Sequence, residues 1–411
     1  MSCRIDANPE TAATPATAPQ AGAPLPEALA WIEDDIAALR AAGLERPARV
    51  REGRQAGEVC LDGRTLLNFG ANNYLGYAGD VRLTKAASKG SCAEGFGAGA
   101  SPLVSGHSQA HELLERAIAG LLAVEAAAVF PSGFAANTAT IAALTGPDDF
   151  IASDERNHAS IIDGCRLSRA RVGIYPHRDL AALDELLGAA HDARRRLIVT
   201  DTLFSMDGTI APIGGLCDLA RKHAAMLMVD EAHATGVFGQ RGSGLVEETG
   251  TADGVHVRVG TLSKALGAAG GFVAGSARLV HWLRHKARAW IFSTAHPPGV
   301  AAAATRAIRL LSEEPDRRIE LLAQAADFTA RLRLAKLDIG DADAQIVPVV
   351  VGPPRAAMDL SERLADDGFF VPAIRPPSVP EDRSLVRVSL SWLHAPRDLS
   401  RLAESISHHA R

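Results

Sequence analysis

The stretch H-V-R-V-G-T-L-S-K-A-L-G-A-A-G-G-F-V-A-G, His256 to Gly275, decides how the rest of this chain is read. Two short apolar runs, His256 to Val259 and Gly271 to Ala274, flank small and hydroxyl-bearing residues around one lysine, Lys264. Its immediate neighbours carry no charge. Gly260, Gly267, Gly270 and Gly271 let backbone and ligand approach closely. A lysine so placed can lose its proton and attack an aldehyde. The competing reading is a solvated loop lysine, and the remainder of the chain decides between them.

Outward from this stretch the pattern is regular. Strand-like runs fall at Ala127 to Phe130, Asp149 to Ala152, Arg171 to Tyr175, Leu197 to Thr200, Met226 to Val229 and Val255 to Val259. Helical stretches such as His111 to Leu122, Ser132 to Leu144, Leu180 to His191 and Cys217 to His223 separate several of them. Short apolar strands alternating with helices predict an α/β fold, a mostly parallel sheet covered on both faces. Ligands of such sheets sit at the carboxyl ends of the strands. Upstream, Leu25 to Gly43 reads as an amphipathic helix and Glu58 to Phe69 as a hairpin turning at Asp62-Gly63. Downstream, an Ala-, Arg- and Leu-rich helical region, 300 to 337, leads to strand-like runs at Ile346 to Val351 and Leu385 to Ser391. The expected division is a disordered tail over 1–26, a helix-and-hairpin segment over 27–69, a large domain over 70–299 and a smaller α+β domain over 300–411.

Composition bounds the function. Of 411 residues, 47% are hydrophobic and 22% charged, an ordinary globular balance, and the net charge of -5 argues against nucleic-acid binding. The cluster Arg194 to Arg196 reads as a solvated helix end. Five scattered cysteines without C-x-x-C spacing predict a reducing, cytoplasmic setting, with no disulfide framework and no metal site. No apolar run is long enough to span a bilayer, and the tail lacks a secretory core.

Several strand-end residues carry matched chemistry. Asp230 follows M-L-M-V, and a buried carboxylate there needs a partner such as a pyridinium nitrogen. His233, three residues on, can reach a phenolic oxygen of the same ring. Ser132-Gly133-Phe134 opens a helix, whose N–H groups and dipole suit a phosphate, and Thr261 and Ser263 can add hydroxyls. His158, after another strand, suits packing or helix capping by itself. Asp-Glu-Ala-His could mark a helicase, but the chain has no Walker loop. Gly95-x-Gly97-x-x-Ala100 follows a helical stretch rather than a strand, so it does not read as a dinucleotide site. An imine lysine, a ring-nitrogen aspartate, a histidine and a phosphate cup together fit pyridoxal phosphate.

Seven segments in order make the resemblance specific. They are N-N-Y-L-G at Asn72 to Gly76, S-G-F-A-A-N at Ser132 to Asn137, N-H-A-S at Asn157 to Ser160 and F-S-M-D-G at Phe204 to Gly208. D-E-A-H-A-T-G at Asp230 to Gly236, T-L-S-K-A-L-G at Thr261 to Gly267 and F-S-T-A-H-P-P at Phe292 to Pro298 complete the set. From about Leu29 to His394 the chain resembles the α-oxoamine synthase family of fold-type I pyridoxal-phosphate enzymes. That resemblance implies a mostly parallel seven-stranded sheet in the large domain. It implies Lys264 as the imine-forming residue and general base, Asp230 on the pyridinium, His233 and Ser205 at the phenolic oxygen, and His158 over the ring. Gly133, Phe134 and Thr261 would surround the phosphate, with Ser293 and Thr294 reaching in from a second subunit of a homodimer.

Substrates implied by the resemblance are an amino acid and an acyl thioester. The tail A-I-R-P-P-S-V-P, Ala373 to Pro380, is similar to the branch of the family that condenses alanine with a pimeloyl thioester. Arg375 would then hold the amino-acid carboxylate, a task suited to a guanidinium fork, with Asn72 and Arg46 also at the substrate. Branches using glycine with acetyl or succinyl thioesters, or serine with long acyl chains, stay open. So does a non-catalytic scaffold, although such chains usually lose the lysine. Two places depart from the family's pattern: Ala100-Ser101-Pro102 replaces a glycine-serine-arginine, and His296 stands where Leu or Met is usual.

Overall fold

Runs such as A-A-A-V-F and M-L-M-V-D form strands because nearly every side chain in them is apolar and can be buried on either face. In the computed structural model, which describes residues 25–46 and 48–410, seven of these runs make the central sheet. They are β1 (Ala126–Phe130), β2 (Phe150–Asp154), β3 (Arg171–Tyr175), β4 (Arg196–Asp201), β5 (Met226–Asp230), β6 (Val257–Thr261) and β7 (Gly271–Gly275). Their order is β1-β7-β6-β5-β4-β2-β3. β7 runs antiparallel to both neighbours, and the pairs from β6 across to β3 are parallel. The tail expected over 1–26 lies, as far as residue 24, outside the described residues.

Alternate residues of each strand feed two cores. Ile151, Leu197, Val199, Met228, Val259 and Val273 face Ile141, Ile161 and Leu283. Ala152, Ile198, Leu227, Val229 and Phe272 belong to the larger cluster, with Leu114, Leu183, Leu216 and Ala304. A doubly covered sheet leaves one place where polar side chains can gather, the edge at which its strands end. There Phe130, Asp154, Asp201, Asp230 and Thr261 close β1, β2, β4, β5 and β6. Gly271 starts β7 at the same edge, paired with Phe130 and Thr261. A Cβ at Gly271 would lie 2.5 Å from the Gly133 nitrogen, so only glycine lets the next helix approach here.

The hairpin forms as expected, Glu58–Leu61 against Arg64–Asn68. Asp62 and Gly63 both have positive φ, 52° and 76°, the turn whose twist matches the strands. Its sheet is completed from far along the chain, by Phe369–Phe370 lying parallel to Arg64–Asn68. A third sheet joins Ile346–Gly352, Ser384–Ser389 and Ala373–Ile374. The expected helical region 300–337 is two helices, Pro298–Glu313 and Asp316–Leu334, parted at Pro315. The N-terminal helix, Trp31–Ala41, buries no residue, and Leu29, Trp31, Ile36 and Leu39 of its apolar stripe are exposed.

Candidate active site

β6 ends at Thr261, and the chain turns through Lys264 before β7 begins. Leu262 N–H donates to Gly270 O at 2.9 Å, Ala268 N–H to Leu262 O at 2.8 Å and Gly267 N–H to Lys264 O at 3.0 Å. The Thr261 hydroxyl, expected to serve a ligand, donates to Gly270 O at 2.8 Å, and its oxygen accepts Ser263 N–H at 3.2 Å. Both hydroxyl residues thus hold the loop. Lys264 is left with its Nζ 2.8 Å from His233 Nε2. Burial pulls the ammonium down from the usual 10.5 to about 8, against the opposing pull of Asp230 and Asp201.

The direction of the hydrogen bonds follows from Asn72. Its Oδ1 only accepts, so the Tyr74 hydroxyl, 3.0 Å away, must donate to it. His233 Nδ1, 2.6 Å from the same hydroxyl, therefore donates, and Nε2 is left to accept from Lys264. His233 is neutral: burial, then the Lys264 charge, holds it well below the usual histidine value. Burial pushes Tyr74 up to about 12. Arg387 also donates to Asn72 Oδ1, at 3.2 Å, and Gln345 Nε2 donates to His233 O at 2.8 Å.

A second chain runs from Asp230. One carboxylate oxygen accepts Ala232 N–H at 2.8 Å and the other Asn137 Nδ2 at 2.6 Å. Asn137 Nδ2 also donates to Ser160 Oγ at 2.9 Å, and Ser160 lies 2.7 Å from His158 Nδ1. Ser160 N–H donates to the same ring nitrogen, so His158 Nδ1 accepts and His158 caps the helix Ala159–Ser168. Burial holds His158 below its usual value. Its backbone N–H donates to Asp201 Oδ2 at 2.8 Å. Asp201 faces Asp230 across the β4–β5 register. Burial, then the Asp230 charge, raises its carboxyl well above the usual range.

The helix Gly133–Leu144 opens beside Thr261. Ser132 Oγ accepts Ala135 N–H at 3.0 Å. Among the described residues, the N–H groups of Gly133 and Phe134 make no hydrogen bond, which leaves two donors at a positive helix end for an anion. Phe134, half exposed, meets His158 edge-on with ring centroids 6.4 Å apart. Gly133, Phe134, His158, Asp230, His233, Thr261 and Lys264 therefore gather at one sheet edge. A lysine near neutrality, a buried carboxylate and an open anion cradle are the donor set that pyridoxal phosphate requires.

Ser205 lies on the loop Phe204 to Thr209 in the wall of a cavity of about 770 Å³, with Asn157, His177, Ser378 and Arg383. Its carbonyl accepts Arg387 Nε, which ties it to the Asn72 chain.

Other expected residues stand apart. Arg375, 9% exposed, donates from Nη1 to Gly43 O and from Nη2 to Glu45 O at 3.5 Å, and its buried Nε has no partner among the described residues. Arg46, exposed, donates back to Pro376 O at 2.8 Å. Ser293 and Thr294 line a small cavity with His107, His111, Glu115 and Trp290. His296 caps the end of β1, its Nε2 2.9 Å from Phe130 O. His107, Glu112 and Glu115 lie close enough to share a cation. Arg284 at 2.6 Å from Glu115 and Arg116 at 2.9 Å from Glu112 already neutralise those acids.

Asn137, Tyr74, Ser160, Asp201, Arg387 and Gln345 were not anticipated. Three of them sit inside motifs quoted above. The signal was a polar residue in an otherwise small or apolar run, as in F-A-A-N-T-A.

Over residues 64–406 the chain matches the family Aminotransferase class I and II. It is 48% identical over 372 residues to an 8-amino-7-oxononanoate synthase of Citrifermentans bemidjiense, covering 90% of this chain and 95% of that one. A synthase of the same name from Symbiobacterium thermophilum is 44% identical over 370 residues, covering 90% and 94%. Among solved structures, a serine palmitoyltransferase from S. paucimobilis with bound PLP superposes with a TM-score of 0.88 at 30% identity, covering 93% of this chain and 97% of that chain. An 8-amino-7-oxononanoate synthase from Francisella tularensis gives 0.73 at 26% identity, covering 84% and 97%.

Proposed function

Because this chain belongs to the aminotransferase class I and II family, and within it to the α-oxoamine synthases, we propose that it condenses alanine with a pimeloyl thioester, releasing carbon dioxide, to give 8-amino-7-oxononanoate for biotin synthesis. The observation that carries its chemistry is the Lys264 amine, held 2.8 Å from a neutral histidine and brought to about 8 by burial, and the choice of substrates rests on the likeness to 8-amino-7-oxononanoate synthases.

Pyridoxal phosphate, when bound, supplies an electron-accepting ring that stabilises negative charge on the amino-acid α-carbon. The protein does the rest. Lys264, close to neutrality, both attaches the cofactor and takes the α-proton, since an amine near the working pH is present in both forms. His233 keeps a lone pair on Nε2 toward that amine and is fixed in this tautomer by Tyr74 and Asn72. Asp230, a buried carboxylate at the end of β5, is placed for the ring nitrogen, beside an Asp201 whose carboxyl burial raises well above the usual range. The free N–H groups of Gly133 and Phe134 take the phosphate, with Thr261 beside them. His158 would cover the ring, and Ser205 would meet its oxygen. Arg375 holds the substrate carboxylate after leaving Gly43 and Glu45, with Arg46 at the same end and Asn72 meeting the substrate from the sheet edge. Ser293 and Thr294 complete the site of a second copy in a homodimer. Exposed Phe96, Val104 and Phe292 provide apolar surface for that assembly. No helix among the described residues is long and apolar enough to cross a membrane, and we place the reaction in the cytoplasm.

The holoenzyme is tested with alanine, glycine and serine, each offered with pimeloyl, acetyl, succinyl and long-chain thioesters, and products are followed by mass spectrometry. Alanine with the pimeloyl donor is expected to give the highest kcat/KM. A clear advantage for glycine with a short donor, or serine with a long one, would move the chain to another branch of the family.

A further inference from the structure

The loop carrying Ser205 is held at its base by a histidine that the catalytic scheme does not use. His177 follows β3, and its Nδ1 lies 3.0 Å from Asp154 Oδ1 at the end of β2. Its Nε2 lies 2.9 Å from Thr209 Oγ1, and its ring stands edge-on to Phe204 with centroids 4.3 Å apart. Phe204 and Thr209 are the two ends of the loop. Phe204 N–H donates to Thr209 O, and Gly208 N–H to Phe204 O, both at 3.0 Å, so the loop is a closed turn. Fixing its ends fixes Ser205.

The direction of the bond to Asp154 is again determined. The Asp154 carboxylate accepts, taking Arg156 N–H at 2.9 Å and Arg178 N–H at 3.0 Å as well. His177 Nδ1 therefore donates to it, and Nε2 meets the Thr209 hydroxyl at its other side. Asp154 and Thr209 are 3% and 5% exposed. His177 lines the cavity that Ser205 lines, yet both its nitrogens are engaged by protein, so it has none to offer a substrate.

We propose that His177 is a positioning residue: clasped between Asp154 and Thr209, it sets the Phe204–Thr209 loop so that Ser205 meets the ring oxygen of the bound cofactor. This rests on the reading of Ser205 as a cofactor contact. Arg156, 2.7 Å from Asp207, and Arg387 on the Ser205 carbonyl steady the same loop at its tip and middle. His177 ties both of its ends to Asp154 at the close of β2.

A double-mutant cycle tests this in the holoenzyme, reading the cofactor dissociation constant and the wavelength of its visible band. Ser205→Ala, His177→Phe and Thr209→Val are each expected to weaken cofactor binding roughly threefold to tenfold and to move the band in the same direction. The double variant Ser205→Ala/His177→Phe should be no worse than Ser205→Ala, because both remove one contact. In cofactor-free Thr209→Val, amide exchange across residues 204–209 should accelerate. His177→Gln, which keeps a donor and an acceptor, should restore much of the effect. Losses that add in the double variant, or a Thr209→Val protein with unchanged band and affinity, would overturn the proposal. If His177→Phe does not fold, Thr209→Val decides alone. If Ser205→Ala itself moves neither readout, Ser205 is no cofactor contact and both readings fall; if it moves them while Thr209→Val does not, only the role of His177 is lost.

Discussion

The sheet edge around Lys264 and the rim around Arg375 are built in opposite ways. At the sheet edge, charges are placed by strand ends and tuned by burial. Lys264, His233, Tyr74 and Asn72 form one directed chain, and Asp230, Asn137, Ser160 and His158 another. At the rim, Arg375 rests on two backbone carbonyls with its Nε unpartnered, Arg46 is exposed, and Thr294 is exposed at a cavity mouth. The hydrogen-bond chains of the first region are formed within one chain before any ligand arrives. The second has cationic and hydroxyl groups whose proposed partners are substrate and a second copy.

The largest effects should come from breaking the first region. Lys264→Ala should abolish covalent fixation of the cofactor by borohydride and lower kcat by at least about a thousandfold, roughly 4 kcal/mol of barrier. A variant that still turns over near the parent rate would remove Lys264 from the chemistry. Asp230→Asn should retain the cofactor more weakly and slow α-proton exchange on alanine, followed by NMR, by roughly 4 kcal/mol. Unchanged exchange would leave the buried charge without a role.

Breaking the rim should cost less and show in a different constant. Arg375→Ala is expected to raise the KM for alanine about tenfold to a hundredfold, roughly 1.4–2.7 kcal/mol, with a smaller change in kcat. Equal losses in kcat and kcat/KM would mean that Arg375 acts in the transition state instead of in binding.

The smallest effects are on stability and sharpen the comparison through pH. In the cofactor-free protein Lys264 releases its proton at about 8, whereas an unfolded lysine holds it to 10.5. Between those values the unfolded chain binds more protons, so stability rises with pH across the window and is lowest below 8. Lys264→Met should flatten that rise in urea midpoints and stabilise the chain at pH 7 by roughly 1–2 kcal/mol. Asp201 has the reverse sign, because its carboxyl is raised: its contribution is present in acid and lost as pH climbs above the usual carboxylate range. Asp201→Asn, which still offers His158 N–H an oxygen, should stabilise the protein near pH 7 by about 1 kcal/mol and make little difference in acid.

Much of the sheet edge was legible in the residues themselves. Strand ends follow from hydrophobic runs, and the residue after each run falls where a parallel sheet exposes its carboxyl termini. Asp230 after M-L-M-V, the glycine-flanked Lys264 and the helix start at Ser132 could all be placed by that rule, and the Asp62-Gly63 dipeptide placed the hairpin turn. The alternation of strands and helices also predicts the parallel sheet, and the motif order specifies the family. Local periodicity and turn chemistry carry all of these, since each depends on neighbours a few positions away.

Only the tertiary structure decided which polar groups meet. Nothing local joins Asn137 to Asp230, Tyr74 to His233, or His177 to Thr209, because each pair spans separate elements brought together by the sheet. The tuning was likewise hidden: Asp201 and Asp230 are both strand-end aspartates in sequence, and only their shared register and burial raise the Asp201 carboxyl well above the usual range. The same holds for Arg375, which sequence placed at a substrate and folding set against Gly43 and Glu45. A residue's type and its element are written locally, whereas its charge state and its partner depend on distances that exist only after the chain has packed.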